Sequence, residues 1–314
     1  MNGLAGAVIV SYNPNHNVIN LSLSISNIIP KERIIIVDNG SASDEYCLIL
    51  ERNGFVVNRL LDNYGIARAI NEGAAHLLSM GVDCFLTFDQ DSDITPEFIA
   101  SLSESYVNLV ETSPQPVAML CPNFFDVNAK TFAKFTLINN WSVKNFSVTE
   151  EGGLHKTTFA ITSGSLVSMS AFISSGGLDE DLFIDHVDSE FCVRLISMGY
   201  DIWVDGDIVF NHSVGERTKE KFLGLTIKPN NHNPIRRYYI FRNGIAVQNK
   251  YFREFPGFLI LNIMRNIHEI ISIVVFEKDK VRKLEGAFLG TRDGFLGKMG
   301  RRDTVRRHLR RGRS

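Results

Sequence analysis

The chain has 314 residues, of which 44% are hydrophobic and 22% are charged, and this composition excludes wholesale disorder. The length allows one large domain, or one domain with an appendage. The 33 basic and 35 acidic residues nearly cancel, but residues 301–314 contain seven arginines and one aspartate. This basic tail carries a charge of +6 and leaves −8 on residues 1–300, which predicts an anionic partner for the tail.

Four cysteines stand singly in apolar or mixed segments, and no CxxC pair occurs. This spacing argues against a zinc knuckle or a disulfide framework and favours a reducing, cytoplasmic setting. The apolar N-terminus lacks the basic residues that open a signal peptide, so we predict a buried strand there.

The first half of the chain alternates strand and helix signals. Its strand candidates are continuous Val/Ile runs without alternation, which is typical of strands buried on both faces of a parallel sheet. The pattern therefore predicts an α/β fold with helices on both sides of the sheet. The predicted strands are 6–12, 33–39, 55–60 and 84–91, and the predicted helices are 16–29, 43–53, 66–80 and 95–110.

The second half has a different pattern. Residues 130–160 predict short antiparallel strands, 188–198 have helical spacing, and the chain is predicted to be helical from about 234 onward. We therefore divide the chain into an α/β domain over 1–230 and a helical C-terminal region over 231–314.

One helix of that region combines apolar length with a polar stripe. The sequence has no stretch of about 20 uncharged apolar residues, so we do not expect a membrane-spanning helix. Residues 258–276 come closest to such a stretch. Their polar residues mostly recur at steps of one, three or four, which places them on one narrow stripe of the helix. Such a helix either packs on the domain or lies in a membrane interface, aided by the basic tail.

Polar residues follow three of the predicted strands, at 11–13, 38–41 and 89–91. In open parallel sheets, ligands bind beyond the carboxyl ends of the strands. Asp89 and Asp91 can present oxygens to one hard cation such as Mg²⁺ or Mn²⁺, which prefers few protein carboxylates together with phosphate oxygens. A single aspartate at a strand end is more often the solvated start of a loop.

A second acidic cluster, Asp185, Asp188 and Glu190, lies at the start of the predicted helix at 188–198. These acids either complement the helix dipole or include a general base whose pKa is raised by neighbouring charge. His212, which follows a later strand, could complete a metal shell or contact phosphate.

Taken together, these motifs resemble the inverting nucleotide-sugar glycosyltransferases of family 2, over roughly residues 5–245. The resemblance implies the GT-A fold, a Rossmann-like mixed α/β sheet flanked by helices, here with a C-terminal helical appendage. The segments FDQDS, FIDHVDSE and RRYYIFRN are most similar to bacterial rhamnosyltransferases of polysaccharide assembly. The matching segments are 8–14, 37–41, 63–74, 89–92, 162–165, 185–195 and 211–216.

The resemblance also implies roles for particular residues. Asp188 takes the position of the catalytic base, although Val187 stands where many relatives have glutamate, and this departure leaves Asp185 as an alternative base. Asp89, Asp91 and His212 take the positions that hold Mg²⁺ or Mn²⁺ on the donor diphosphate. The donor-binding positions are Ser11, Tyr12, Asn13, Asp38, Asn63, Gly65, Arg68, Asp89 and Gln90.

Two further arginines, Arg237 and Arg242, lie on the predicted helix that begins near residue 234. They either form a wall of the donor phosphate site, because arginine suits bidentate phosphate contact, or belong to a helix with aromatic residues inward and arginines outward. We count them as candidate donor-binding residues.

The implied function is metal-dependent, inverting transfer of a sugar, with L-rhamnose from dTDP-β-L-rhamnose as the first choice. The acceptor would be a saccharide or a lipid-linked oligosaccharide of bacterial cell-surface polysaccharide synthesis, such as O-antigen, at the inner face of the plasma membrane. The alternatives are a UDP-sugar donor (galactose, glucose or N-acetylglucosamine), a non-catalytic sugar-nucleotide-binding module, and a metal-dependent phosphatase or nucleotidyltransferase. A nucleic-acid partner is not expected, because residues 1–300 are acidic and no helix-turn-helix or RNA-binding signature occurs.

Overall fold

A computed structural model describes residues 5–128, 130–149, 151–212, 220–222, 225–227 and 231–310, with the side chains of 212, 220–222, 225–227 and 310 left undescribed. The predicted alternation of strands and helices in the first half is confirmed. The Thr95 hydroxyl caps the fourth helix by accepting from Phe98 N, and Pro96 is its first residue. These elements are β1 (Ala5–Ser11), α1 (Asn17–Ile25), β2 (Ile34–Asp38), α2 (Glu45–Arg52), β3 (Val56–Arg59), α3 (Ile66–Ser79), β4 (Cys84–Asp89) and α4 (Pro96–Thr112).

The middle of the chain adds the short strands that the sequence predicts. A hairpin of two antiparallel strands covers part of 130–160, and the predicted helix at 188–198 is observed one residue earlier. These elements are β5 (Val117–Asp126), β6 (Thr131–Phe132), β7 (Phe135–Asn139), β8 (Ser142–Phe146), β9 (Leu154–Lys156), β10 (Leu166–Ser168), α5 (Met169–Ser174), α6 (Val187–Ser197), β11 (Asp201–His212), β12 (Glu220–Phe222) and β13 (Leu225–Ile227).

The main sheet has the strand order β3-β2-β1-β4-β10-β5-β11-β9, with β6 paired to β5. The parallel register sets Ser11 beside Asp38 and Val10 beside Asp89, so the polar ends of β1, β2 and β4 share one edge. Between β4 and β5, β10 runs antiparallel to both, which makes the sheet mixed. The chain that enters β10 therefore passes the end of β4, where Ser163 Oγ accepts a hydrogen bond from Asp89 N.

The C-terminal region is helical, as predicted, and consists of α7 (Pro234–Tyr251), α8 (Pro256–Val275), α9 (Lys280–Phe295) and α10 (Asp303–Arg310). Three glycines of α9, spaced four residues apart, let it lie directly on α7. A Cβ on Gly286, Gly290 or Gly294 would lie 2.2–2.6 Å from a backbone oxygen of α7. Helix α7 also donates hydrogen bonds to Leu182, before α6, and to Glu190, within α6. The domain boundary at residue 230 therefore stays a prediction.

Helix α8 has its polar stripe inside and its apolar side outside. Asn262, Glu269 and Ser272 are buried, whereas Met264 and Ile267 are more than half exposed. Within the described residues, α8 is also the helix that is long and apolar enough to cross a membrane, by length and composition alone.

Part of the basic tail is folded onto the protein. Val305 and Leu309 of α10 are buried in a cluster with Phe183, Tyr238 and Tyr239. Residues 311–314, with two of the seven arginines, lie outside the described residues.

Candidate active site

Two cavities meet at the polar edge of the sheet. The first, about 360 Å³, is here called the donor cavity because five of the predicted donor residues line it. The second, about 330 Å³, is called the Asp188 cavity. Asp89, at the end of β4, lines both cavities together with Ile66 and Ile184. The lining of the donor cavity includes Tyr12, Asn39, Asn63, Gly65, Asp89, Gln90, Asp91 and Phe183.

The wall of the donor cavity depends on a close approach at Gly65. Gly65 has φ +93°, and a Cβ there would lie 2.3 Å from the carbonyl oxygen of Phe183, so only glycine fits. Ile66 N donates to the same oxygen at 3.0 Å. Asn39, a residue that our prediction omitted although it lies in the 37–41 segment, accepts from Tyr64 N at 3.0 Å and donates to Gly65 O at 3.3 Å.

Another part of the donor cavity's lining comes from the ends of β1 and β4, which are joined by a hydrogen bond. Tyr12 N donates to the side-chain oxygen of Gln90 at 2.7 Å, so these two predicted donor residues form one continuous rim. The rim leaves about half of the Tyr12 side chain exposed, which makes its ring available to a planar ligand such as a nucleobase.

Besides Arg237 and Arg242, four predicted donor residues lie outside the lining of this cavity, and the direct contact of these four with a donor stays a prediction. Asp38 and Ser11 are buried, and Asp38 accepts from Ser41 N at 3.0 Å. Asn13 accepts from Ala42 N at 2.9 Å. Arg68 forms ion pairs with Glu72 and Glu180 on the surface of α3.

The Asp188 cavity contains the predicted base. Asp188 is in the first turn of α6, and the Thr162 hydroxyl donates to its Oδ1 at 2.9 Å. Burial, with help from the nearby charge of Asp89, raises the pKa of Asp188 to about 6. A carboxylate with this pKa is ionised at neutral pH and is well matched to removing a proton from a hydroxyl group.

Asp185, the alternative base, has a cationic partner in the same cavity. Arg236 Nε and Nη2 lie 3.2 and 3.1 Å from Asp185 Oδ1. Burial raises the pKa of Asp185, and the charge of Arg236 opposes this rise. Because Asp185 is held by an arginine and Asp188 by a neutral hydroxyl, the geometry favours Asp188 as the base.

The turn before Asp188 has a strained backbone. Phe183, Asp185 and His186 all have positive φ, between +60° and +65°, which non-glycine residues adopt at a cost. Asn243 Nδ2, fully buried on α7, lies 2.8, 2.7 and 2.9 Å from the carbonyl oxygens of Leu182, Ile184 and Asp185. The helical region thus fixes the shape of the turn before Asp188.

His186 lines the Asp188 cavity and was not among the predicted site residues. Burial lowers the pKa of His186 to about 3, so the imidazole is neutral at physiological pH. Its Nδ1 is buried and has no hydrogen-bond partner within the described part of the chain.

The prediction that Arg237 and Arg242 bind the donor is wrong. Both side chains are fully buried among the helices. Arg237 pairs with Glu269 and Glu277, and Arg242 donates to carbonyl oxygens of Asp181 and Leu182 at 3.0 Å. The arginine of this segment that reaches a cavity is Arg236.

The metal-binding prediction has partial geometric support. Asp89 and Asp91 both line the donor cavity, and two carboxylates fit a hard cation that takes its remaining ligands from phosphate and water. The described residues contain no group of three His, Cys, Asp or Glu side chains that could hold a metal alone. His212 pairs with Asp126 at the end of β11, but its side chain lies outside the described residues.

Comparison with known proteins extends these findings. Residues 7–175 match the family model described as glycosyl transferase family 2. Over 307 residues, 95% of this chain and 97% of the relative, the chain is 32% identical to the dTDP-rhamnosyl transferase RfbF of Shigella flexneri.

Two solved structures share the fold. A structure of GalNAc-T7 with UDP, GalNAc and Mn²⁺ matches 94% of this chain and 56% of its own with a TM-score of 0.60 at 14% identity. TarS of S. aureus matches 92% and 55% with a TM-score of 0.51 at 14% identity. The chain thus spans about half the length of these two structures, and at this identity the likeness concerns the fold.

The mixed sheet and the family match therefore define a glycosyltransferase with the GT-A fold. The family match and the identity to the Shigella protein are specific enough to state that the chain belongs to glycosyl transferase family 2.

Proposed function

We propose that the chain transfers L-rhamnose from dTDP-β-L-rhamnose to a saccharide acceptor with inversion at the anomeric carbon. The observation that carries this proposal is the position of Asp188, whose partly buried carboxylate lies in a cavity that adjoins the donor cavity at Asp89. The choice of rhamnose is supported by the relative over 95% of the chain that is named a dTDP-rhamnosyl transferase.

The chemistry follows from the protonation state of Asp188. With a pKa of about 6, roughly nine-tenths of it is ionised at pH 7 and can accept a proton from the acceptor hydroxyl. The Thr162 hydroxyl orients the carboxylate. The acceptor oxygen attacks the anomeric carbon from the face opposite dTDP, so one displacement converts the β-linked donor into an α-L-rhamnoside.

The negative charge of the leaving diphosphate also has to be neutralised. Asp89 and Asp91 would hold Mg²⁺ or Mn²⁺, which when bound neutralises the diphosphate that leaves. Arg236 replaces Arg237 and Arg242 as the arginine available to phosphate, because its side chain is 42% exposed and lines the Asp188 cavity. His212 remains a proposed third metal ligand.

A donor screen separates this proposal from its alternatives. Thermal shift with dTDP-rhamnose, UDP-galactose, UDP-glucose and UDP-N-acetylglucosamine should give the largest stabilisation for dTDP-rhamnose. Transfer measured with the same four donors should follow that order, and NMR of the product should show an α linkage. A UDP-sugar that binds and reacts better would replace dTDP-rhamnose as donor. The absence of hydrolysis and transfer with every donor would favour a non-catalytic module.

We further propose that the protein acts at the cytoplasmic face of a bacterial membrane on a lipid-linked acceptor. The four cysteines are free and buried, which suits a reducing compartment. Besides the outward apolar side of α8, α9 has an exposed apolar row of its own, in which Val281, Phe288 and Phe295 recur at intervals of seven residues. Two exposed lysines, Lys278 before α9 and Lys280 at its first residue, would meet anionic headgroups.

This surface can be tested with the double variant Ile263→Asp/Phe288→Asp, with Ile28→Asp as a control at an exposed apolar residue of the α/β part. The double variant should lose pelleting with vesicles containing phosphatidylglycerol, and the control should keep it. Light scattering that shows a wild-type dimer and a monomeric double variant would instead assign the face to a second copy of the chain.

A further inference from the structure

Part of the basic tail contacts a residue that lines the donor cavity. Residues 299–310, here called the closing segment, include α10 and the turn that precedes it. Arg301 Nη1 donates to Asp62 Oδ2 at 2.6 Å and to Asn63 O at 2.9 Å. Asn63 itself lines the donor cavity, so Arg301 is one residue removed from a donor bound there.

The closing segment also holds the second wall of the cavity. Gly300 N donates to Asp181 O at 2.7 Å, and Arg242 Nη1 donates to Gly300 O at 2.5 Å. Asp181 begins the turn that leads through Phe183 to the catalytic cavity. Two chain segments, 62–65 and 181–184, are thus connected in two ways. They lie against each other in the wall of the donor cavity, and both bond with the closing segment.

Packing keeps the closing segment in this place. Val305 and Leu309 are buried against Phe183 and its aromatic neighbours. The Arg306 guanidinium lies 5.8 Å from the centre of the Phe183 ring, and Phe183 stacks on Tyr239 with ring centres 5.2 Å apart. The segment is therefore anchored by apolar contacts independent of Arg301, and a change at Arg301 should leave α10 docked.

From these contacts we infer that Arg301 is a positioning residue for donor binding, which holds Asn63 and the adjoining wall in the shape that receives the nucleotide. The inference rests on the proposed function. Arg301 is only 28% exposed, and one guanidinium nitrogen bridges a carboxylate and a main-chain oxygen of the same loop. Loss of this bridge frees the loop, and the donor must then order it on binding.

The test compares Arg301→Gln with Arg307→Gln, a matched control, since Arg307 is an exposed arginine of the same segment. Titration calorimetry with dTDP and steady-state kinetics with dTDP-rhamnose should show Kd and KM about tenfold higher for Arg301→Gln, with kcat within about twofold of wild type. Arg307→Gln should match wild type in both. Arg301→Lys, whose ammonium can still donate to Asp62 and to Asn63 O, should recover part of the lost affinity, and a rise in Kd and KM with unchanged kcat is not what a loss of folded structure would produce.

Equal Kd and KM for wild type and both single variants would overturn the inference, as would a fall in kcat with unchanged Kd. If wild type binds UDP and not dTDP, the proposed donor is wrong, and the same comparison made with UDP decides the role of Arg301. If wild type binds neither nucleotide, the proposed function and this inference fail together.

Discussion

Replacing Asp188 with asparagine should greatly slow transfer and, above about pH 4, stabilise the protein. Asparagine has nearly the shape of a protonated aspartate and can still accept the hydrogen bond from Thr162. It cannot accept the acceptor's proton, so the transfer rate should fall by about 10²–10⁴. The stability gain arises because the buried carboxylate of the wild type must be held in its charged form.

The size of this gain depends on pH. Burial raises the pKa of Asp188 from its ordinary value of 3.8 to about 6 in the folded protein. A raised carboxyl pKa means that folded protein is favoured while the group is protonated and loses stability as pH rises from 3.8 through 6. The resulting penalty in the free energy of unfolding is about 1.6 kcal/mol at pH 5 and about 3 kcal/mol at pH 8. The variant escapes this penalty.

Thermal unfolding of both proteins at pH 5 and pH 8 measures the effect. At roughly 2 °C per kcal/mol, the variant should melt about 3 °C higher than wild type at pH 5 and about 6 °C higher at pH 8. Asp44→Asn is the control, because Asp44 is exposed and makes no capping hydrogen bond at α2. A gain that is equal at both pH values would refute the argument from burial, and full activity of the variant would refute Asp188 as the base.

Further outcomes follow from the same geometry. The kcat/KM of wild type should fall about tenfold per pH unit below about 6, as Asp188 becomes protonated, and a profile flat to pH 5 would contradict this. Thr162→Val removes a hydrogen bond that lowers the pKa of Asp188, so the acid limb of the profile should move to higher pH. EDTA should stop transfer and Mn²⁺ or Mg²⁺ should restore it; transfer unchanged by EDTA would exclude the role proposed for Asp89 and Asp91. Gly290→Ala would put a Cβ 2.2 Å from Tyr238 O, so the free energy of unfolding should drop by about 1–3 kcal/mol in denaturant titration.

The sheet and its polar edge could be predicted because their signals are local. Continuous apolar runs place β1, β2 and β4 in the sheet interior, and parallel strands bring their carboxyl ends together by necessity. Local patterns could not predict that Asp89 lies near Asp188, because this placement depends on β10 returning between β4 and β5. There the family resemblance, and not the periodicity, supplied the prediction.

The helical region shows what periodicity leaves undetermined. The polar stripe of α8 is evident in the sequence, but only the fold shows that Glu269 lies inside, as the partner of Arg237. The same pairing explains the error at Arg237, because a sequence shows arginine on a helix without showing which acids the helix will meet. Arg242 was misplaced for a similar reason, since its partners are main-chain oxygens that have no signature in sequence.

The contact between Arg301 and Asn63 joins residues 238 positions apart along the chain. At a synthesis rate of about 5–20 residues per second, roughly 10–50 s pass between the addition of Asn63 and that of Arg301. The first strands can pair during this interval, but the wall of the donor cavity that contains Asn63 cannot bond with Arg301 until that residue has been added. A nascent or prematurely terminated chain without residue 301 would thus carry a folded sheet and an unfinished nucleotide site. The order of translation itself would keep incomplete copies from competing for donor.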